Sequence, residues 1–151
     1  MRSRYLFPLI AFALIFTMGV YFLINPSYQK SIEAKYYFEV GEYDDAYALA
    51  NEAFSMDVYN RMAATIMAQS KTSLKYVKYI NQAKIYFTQI NEIAMQENIS
   101  DGDRARMKIM SEIMVNSYVK LAPSIITDKE LVQEAKKYHD DFEKLLEKVT
   151  R

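Results

Sequence analysis

The acidic and histidine side chains best suited to acid–base chemistry or metal binding lie together at His139, Asp140 and Asp141. His139 is the only histidine in the chain, and imidazole and carboxylate groups are common metal ligands and proton carriers. Consecutive residues of a helix point about 100° apart, so these three side chains are not expected to converge. The pattern therefore indicates a solvated helix surface and not a catalytic or metal centre.

A second acidic cluster, Asp101-Gly102-Asp103, resembles a fragment of a calcium-binding loop. The positions that should supply further ligands hold Arg104, Ala105 and Arg106, so capping at a helix start explains the cluster better. The chain has no glycine-rich phosphate loop, Gly-x-Ser-x-Gly elbow or His-Glu-x-x-His pair. The sequence therefore predicts no enzyme activity, no catalytic residue, no cofactor and no metal.

Composition narrows the class of protein further. The 151 residues include 19 basic and 19 acidic side chains, so no net charge is available to attract nucleic acid. Zero cysteines exclude a disulfide framework and a thiolate metal site. Three glycines and three prolines leave few residues for tight turns, which favours long helices joined by short loops.

One segment, Tyr5–Ile24, contains twenty residues without a charged side chain. A helix of this length covers about 30 Å, the thickness of the hydrocarbon core of a bilayer. The alternatives are an unusually apolar core helix, which rarely needs such a length, and a cleaved secretory signal. The bulky residues Val20–Ile24 and the following Asn25-Pro26 do not provide a small-x-small cleavage site for a signal. The sequence predicts an uncleaved, lipid-facing membrane anchor.

Positive charges set the expected orientation of this anchor. Arg2, Arg4 and the amino terminus precede the apolar segment, whereas Lys30 and Lys35 follow it at greater distance. Because Lys and Arg near a membrane-spanning helix are retained on the cytoplasmic side, we expect a cytoplasmic amino terminus and an exported carboxyl-terminal domain.

Apolar periodicity predicts helices in the polar remainder of the chain. A 4, 3, 4, 3, 4 spacing joins Tyr76 to Ala94 and again joins Leu131 to Val149, and a methionine-rich face lies between Met107 and Leu121. Thr127-Asp128-Lys129-Glu130 has the form of a capping box, with Thr127 as the expected N-cap of the last helix.

The first polar stretch resembles a tetratricopeptide repeat, a helical pair with small residues where its helices cross and a Gly-x-Tyr turn. The resemblance is carried by Ala34, Tyr37, Gly41, Tyr43, Ala46 and Ala53. Gly41 is suited to the left-handed conformation that ends a helix. Two positions depart from the pattern: Lys30 replaces an aromatic residue, and Val58 stands where a proline is common.

A single repeat needs neighbours to bury its second face. The resemblance therefore implies an all-α protein in which the membrane helix is followed by about three antiparallel helical hairpins, a tetratricopeptide-like array. The second hairpin is predicted to join 58–70 to 73–97, and the third to join 104–121 to 128–149. The predicted domains are an anchor over 1–26 and a helical domain over 27–151, with an unrelated helical bundle as the alternative.

Repeat geometry also implies a binding surface on the first helix of each pair. Its predicted partner-binding residues are Ser31, Lys35, Phe38, Glu39, Met62, Thr65 and Gln69. The alternative for Phe38 and Met62 is packing against neighbouring helices. Resemblance to anchored repeat proteins implies a scaffold or assembly factor of the bacterial inner membrane with a periplasmic domain, which binds a protein partner in secretion, outer-membrane assembly or motility machinery such as a flagellar stator. The alternative is a small subunit whose transmembrane helix is the main contact.

Overall fold

The structure is a computed structural model that describes residues 3–123 and 127–150. Within these ranges the chain forms six α-helices and no strand. They are α1 (Ser3–Ile24), α2 (Pro26–Glu39), α3 (Tyr43–Met56), α4 (Arg61–Ala94), α5 (Asp101–Tyr118) and α6 (Lys129–Thr150). The predictions of an all-α chain and of an apolar helix at its start are confirmed for the described residues.

Two compact units divide the chain at a point inside α4. Unit 1 is Met1–Ser70 and unit 2 is Lys71–Arg151. Unit 1 therefore holds α1, α2, α3 and the first part of α4, whereas unit 2 holds the rest of α4, α5 and α6. The predicted domains over 1–26 and 27–151 stay predictions.

The second predicted hairpin is wrong, because residues 58–70 and 73–97 do not form two helices. The 34 residues of α4 are one continuous helix that runs through both segments. Ser70-Lys71-Thr72-Ser73, where the turn was expected, contains neither glycine nor proline. Ser70 and Ser73 are both fully buried and lie in register with Ala63 and Tyr76, so the buried face of the helix continues through the expected turn.

In unit 1, α2 and α3 pack against each other and are joined by Val40–Glu42. Gly41 adopts φ +87°, as its position predicted, and ends α2. The Gly41 N–H donates to the Phe38 carbonyl and the Glu42 N–H donates to the Tyr37 carbonyl, which is the Schellman arrangement. Small buried residues let the helices approach closely, in a core of Ala34, Ala46, Ala50 and Ile66.

In unit 2, the second part of α4 packs with α5 and α6 around a larger core. Phe142 of α6 is fully buried, and its ring lies 4.8 Å from that of Phe87 on α4. The other buried members of this core are Tyr76, Tyr79, Ile80, Ala83, Ile90, Ile93, Met107, Met110, Met114 and Ala135. Together with the partly buried residues packed against them, they include most of the apolar positions of the periodic patterns.

Two helix starts differ from the sequence expectations. Ser100 is the N-cap of α5, because its hydroxyl oxygen accepts the Asp103 N–H at 3.1 Å, and Asp101 and Asp103 lie in the first turn. Asp128 directly precedes α6 and caps it, since a carboxylate oxygen of Asp128 accepts the Glu130 N–H at 2.8 Å. Thr127 is buried.

Proline substitution distinguishes a continuous α4 from the predicted turn. Lys71→Pro should lower the free energy of unfolding by about 3 kcal/mol, because it removes a helical hydrogen bond in the middle of α4. Val58→Pro should be neutral or stabilising by up to about 1 kcal/mol. Val58 is the second residue of a turn in which the Asn60 N–H donates to the Asp57 carbonyl, and Asp57 is extended. Both features suit a proline at position 58. Urea unfolding of the full chain in detergent measures both, and equal small effects would contradict the continuous helix.

Candidate functional site

The first functional feature is the apolar part of α1. Leu6–Ile24 has a mean hydropathy of 2.3, and none of its residues is buried against the rest of the chain. By length and composition this helix can cross a membrane, a test that a signal sequence also passes. It is the only such helix among the described residues.

Where α1 ends, polar groups gather within a few residues. Asn25 is extended and caps α2, because its side-chain oxygen accepts the Ser27 N–H at 3.0 Å, while its amide donates to the Tyr21 hydroxyl at 3.1 Å. The Gln29 side-chain amide donates to the Leu23 carbonyl at 2.6 Å. The ring of Tyr28 meets that of Phe22 edge to face at 4.5 Å. The last turn of α1 is thus held against the first turn of α2.

A buried polar network then ties α2, α3 and α4 together, and sequence reasoning missed it. The Asn60 amide donates to the Ser27 hydroxyl at 2.9 Å and to the Ser31 hydroxyl at 3.2 Å. The Ser27 hydroxyl donates in turn to the Ala53 carbonyl at 2.8 Å. The Asn60 side-chain oxygen accepts the Ala63 N–H at 3.1 Å and so caps α4. An asparagine directly before the periodic face of α4 was the available sequence signal.

The structure places the predicted partner-binding residues in unequal environments. Ser31 has no exposed surface and belongs to the Asn60 network. Phe38 is half-buried, packs against the unit 1 core and lies 5.4 Å, ring to ring, from Tyr43. Lys35 and Glu39 are exposed on α2 and form an ion pair at 3.6 Å.

The remaining predicted residues share one side of α4. Met62 is 38% exposed, Thr65 is exposed and Gln69 is half-buried. Their spacing of three and four residues puts them along one helix face. Of the seven predicted residues, Lys35, Glu39, Met62 and Thr65 are therefore exposed and Gln69 is half-buried.

Around His139 the structure groups Asp140 and Glu143 with the imidazole, and Asp141 is not part of this group. Ligand atoms of His139, Asp140 and Glu143 lie within 4.8 Å of one another. Glu143 follows His139 by one helical turn, whereas Asp141 follows it by only half a turn. His139 Nε2 lies 3.4 Å from a Glu143 carboxylate oxygen, and its ring stacks on Tyr118 at 4.2 Å. Glu143 is exposed, and this grouping is of a kind that occurs on helix surfaces without a metal.

A cleft of about 210 Å³ opens beside this stack in unit 2. It is lined by Lys75, Lys78, Tyr79, Gln82, Met114, Ser117 and Leu121. Its volume lies below the roughly 300 Å³ at which pockets for small organic molecules begin. The Tyr79 hydroxyl is buried and makes no hydrogen bond within the described residues. Burial, with the neighbouring Tyr118 and Asp140, raises the pKa of Tyr79 well above its usual value.

Compared with known proteins, the chain matches no family model, no curated protein and no solved structure. The tetratricopeptide resemblance therefore remains a resemblance of the α2–α3 segment alone.

Removing the Asn60 side chain should destabilise unit 1. Asn60→Ala deletes the α4 cap and leaves two buried serine hydroxyls without their donor, so we expect a loss of about 2 to 4 kcal/mol. Urea unfolding of the full chain in detergent, followed by circular dichroism, measures the loss. Asn51→Ala, at an exposed asparagine of α3, is the matched control and should change stability by less than about 0.5 kcal/mol. A loss no greater than that of the control would show that the network contributes nothing.

Removing the Tyr79 hydroxyl should have the opposite effect. Tyr79→Phe deletes a buried group without a hydrogen bond, so stability at neutral pH should be unchanged or rise by up to about 1 kcal/mol. The raised pKa of Tyr79 means that the folded chain holds this proton more tightly than the unfolded chain does. Its contribution is complete below the unfolded tyrosine value of about 10 and declines as pH rises above it.

Tyr79→Phe should therefore lose less stability than the parent chain between neutral and strongly alkaline pH. Unfolding measured at both pH values tests this, with Tyr36→Phe at an exposed tyrosine of α2 as the control. If the parent chain and Tyr79→Phe lose the same stability between the two pH values, the raised pKa of Tyr79 is contradicted.

Proposed function

We propose that this chain is a membrane-anchored helical scaffold or assembly factor that binds a protein partner at the membrane surface. The observation that carries the proposal is α1, which has no buried residue over Leu6–Ile24 and is followed after a single residue by further packed helices. A helix with so much exposed apolar surface is unfavourable in water and favourable in hydrocarbon.

The binding part of the proposal rests on the surface of unit 1. Lys35, Glu39, Met62, Thr65 and Gln69 combine charge, an amide, a hydroxyl and a thioether, a mixture that suits a peptide or protein surface. The ion pair between Lys35 and Glu39 is exposed, so it contributes little to stability and is available to a partner.

Orientation and compartment are part of the same proposal. Arg2 and Arg4 before α1 favour a cytoplasmic amino terminus and a periplasmic position for the helical units in a bacterial inner membrane. The partner would then belong to an envelope complex for secretion, outer-membrane assembly or motility, such as a flagellar stator.

Site-specific photo-crosslinking of the full chain in membranes tests the proposal. A carbonate wash should leave the chain in the membrane at its full mass, since a cleaved signal would shorten it. A photo-reactive residue at Thr65 or Lys35 should then capture a defined protein, whereas one at Ala48, on the exposed face of α3, should not. The compartment of the captured protein reports the orientation.

Two outcomes would contradict the proposal. Release of a shortened chain by carbonate would remove the anchor. Capture of the same protein from Ala48 as from Thr65, or of none from either, would remove the predicted binding surface.

The alternative role, in which α1 itself is the main contact, is favoured by the apolar side chains of Leu6–Ile24, none of which is buried within the chain. Replacing Leu6–Ile24 with an unrelated spanning sequence separates the two roles. Crosslinking from Thr65 should survive the replacement if unit 1 binds the partner, and it should fail if α1 does.

A further inference from the structure

The turn between α3 and α4 exposes an unusual amount of apolar surface for a short connection. Val58 is 59% exposed and Tyr59 is 88% exposed, and Met56, at the end of α3, is 50% exposed. Neither Val58 nor Tyr59 contributes to the unit 1 core. Single exposed apolar residues are common, but three within four positions form a patch.

This patch lies at the end of unit 1 from which α1 leaves. Asn60, next to Tyr59, donates hydrogen bonds to Ser27 and Ser31 in the first two turns of α2. Ser27 stands three residues after Ile24, the last residue of α1, and donates to Ala53 near the end of α3. The hydrogen bonds thus fix the α3–α4 turn beside the junction of α1 and α2.

The same junction contains the groups expected where a bilayer ends. Backbone carbonyls cannot be left unpaired in hydrocarbon, and the Leu23 carbonyl receives the Gln29 amide. Tyr21 and Tyr28 flank this point, and tyrosine is enriched at the level of the lipid headgroups. The level of Tyr21–Gln29 is therefore the natural membrane surface on this side of α1.

We propose that the α3–α4 turn is a second membrane contact, in which Val58 and Tyr59 enter the lipid interface beside α1. This inference rests on the proposed anchoring by α1. The occupant of the patch is the bilayer itself, because the hydrogen bonds hold the patch next to the only described helix that can span a membrane.

The backbone of the turn is prepared for such an environment. The Tyr59 N–H donates to a carboxylate oxygen of Asp57 at 2.9 Å, and the Asn60 N–H donates to the Asp57 carbonyl at 3.1 Å. These donors are satisfied inside the turn and do not need water. Arg61 is exposed and forms no ion pair among the described residues, so its cation is available to a lipid phosphate.

A fluorophore placed on the turn tests the contact. The chain contains no cysteine, so Tyr59→Cys gives a unique site for a nitrobenzoxadiazole label on the full chain in phosphatidylcholine vesicles. Tyr36→Cys is the matched control, because Tyr36 is a 63% exposed tyrosine of α2 eleven residues, or about 16 Å, beyond Asn25. The same label at both sites controls for its own affinity for lipid.

Nitroxide-labelled phosphatidylcholine should quench the label at residue 59 several-fold more than the label at residue 36. The quenching should persist when the vesicles are made with more lipid per protein. Circular dichroism of both labelled chains checks that they fold. A label at residue 59 should not disturb folding, because Tyr59 is 88% exposed.

The failures of the two proposals are distinguishable. Equal quenching at both sites, in a chain that resists carbonate extraction, would overturn the second contact and leave the anchor standing. Loss of the chain from the vesicles would overturn the anchor, and the second contact with it. If the quenching of the label at residue 59, or its protection from water, disappears when more lipid per protein is used, the patch contacts a second copy of the chain. That result would overturn the lipid contact.

Discussion

The organisation of unit 1 depends on one buried amide. Asn60 caps α4 with its oxygen and binds Ser27 and Ser31 of α2 with its nitrogen, while Ser27 passes the connection to the Ala53 carbonyl of α3. Buried polar groups are tolerated only when they are paired, and their geometry then specifies a particular arrangement. The unit 1 core is built mostly of alanines, whose small side chains do not fix the positions of the helices by shape alone. The hydrogen bonds of Asn60 and Ser27 therefore fix the relative positions of α2, α3 and α4.

Sequence patterns predicted the features that local chemistry determines. Gly41 ends α2 because no residue with a Cβ adopts φ +87° readily, and α6 follows its apolar spacing around Phe142. The continuity of α4 was missed because the expected turn came from the repeat resemblance and not from Ser70-Lys71-Thr72-Ser73, whose residues permit a helix. The helix propensity of these four residues is close to neutral, so the burial of apolar side chains before and after them decides that α4 is continuous.

The candidate sites show the same limit. Lys35 and Thr65 were assigned to a binding surface by the geometry of the repeat resemblance, and both are exposed. Ser31 was not distinguished from them, since its burial depends on Asn60, which is 29 residues away. In unit 2, Glu143 approaches His139 through a helical turn, whereas the stacking of His139 on Tyr118 requires α5 to lie beside α6. Spacing within one helix was readable, but contacts between helices were not.

The shortness of the α1–α2 junction carries the functional argument furthest. Only Asn25 separates the two helices, and its side chain is committed to Ser27 and Tyr21. A long polar linker would let a binding domain search a volume of solution, but a one-residue junction with three side-chain hydrogen bonds around it does not. With α1 in a membrane, the exposed residues of unit 1 stay within a few helical turns of the lipid surface. A partner bound at Lys35 and Thr65, as proposed, would then be a membrane protein or a protein presented at that surface, whichever process it serves.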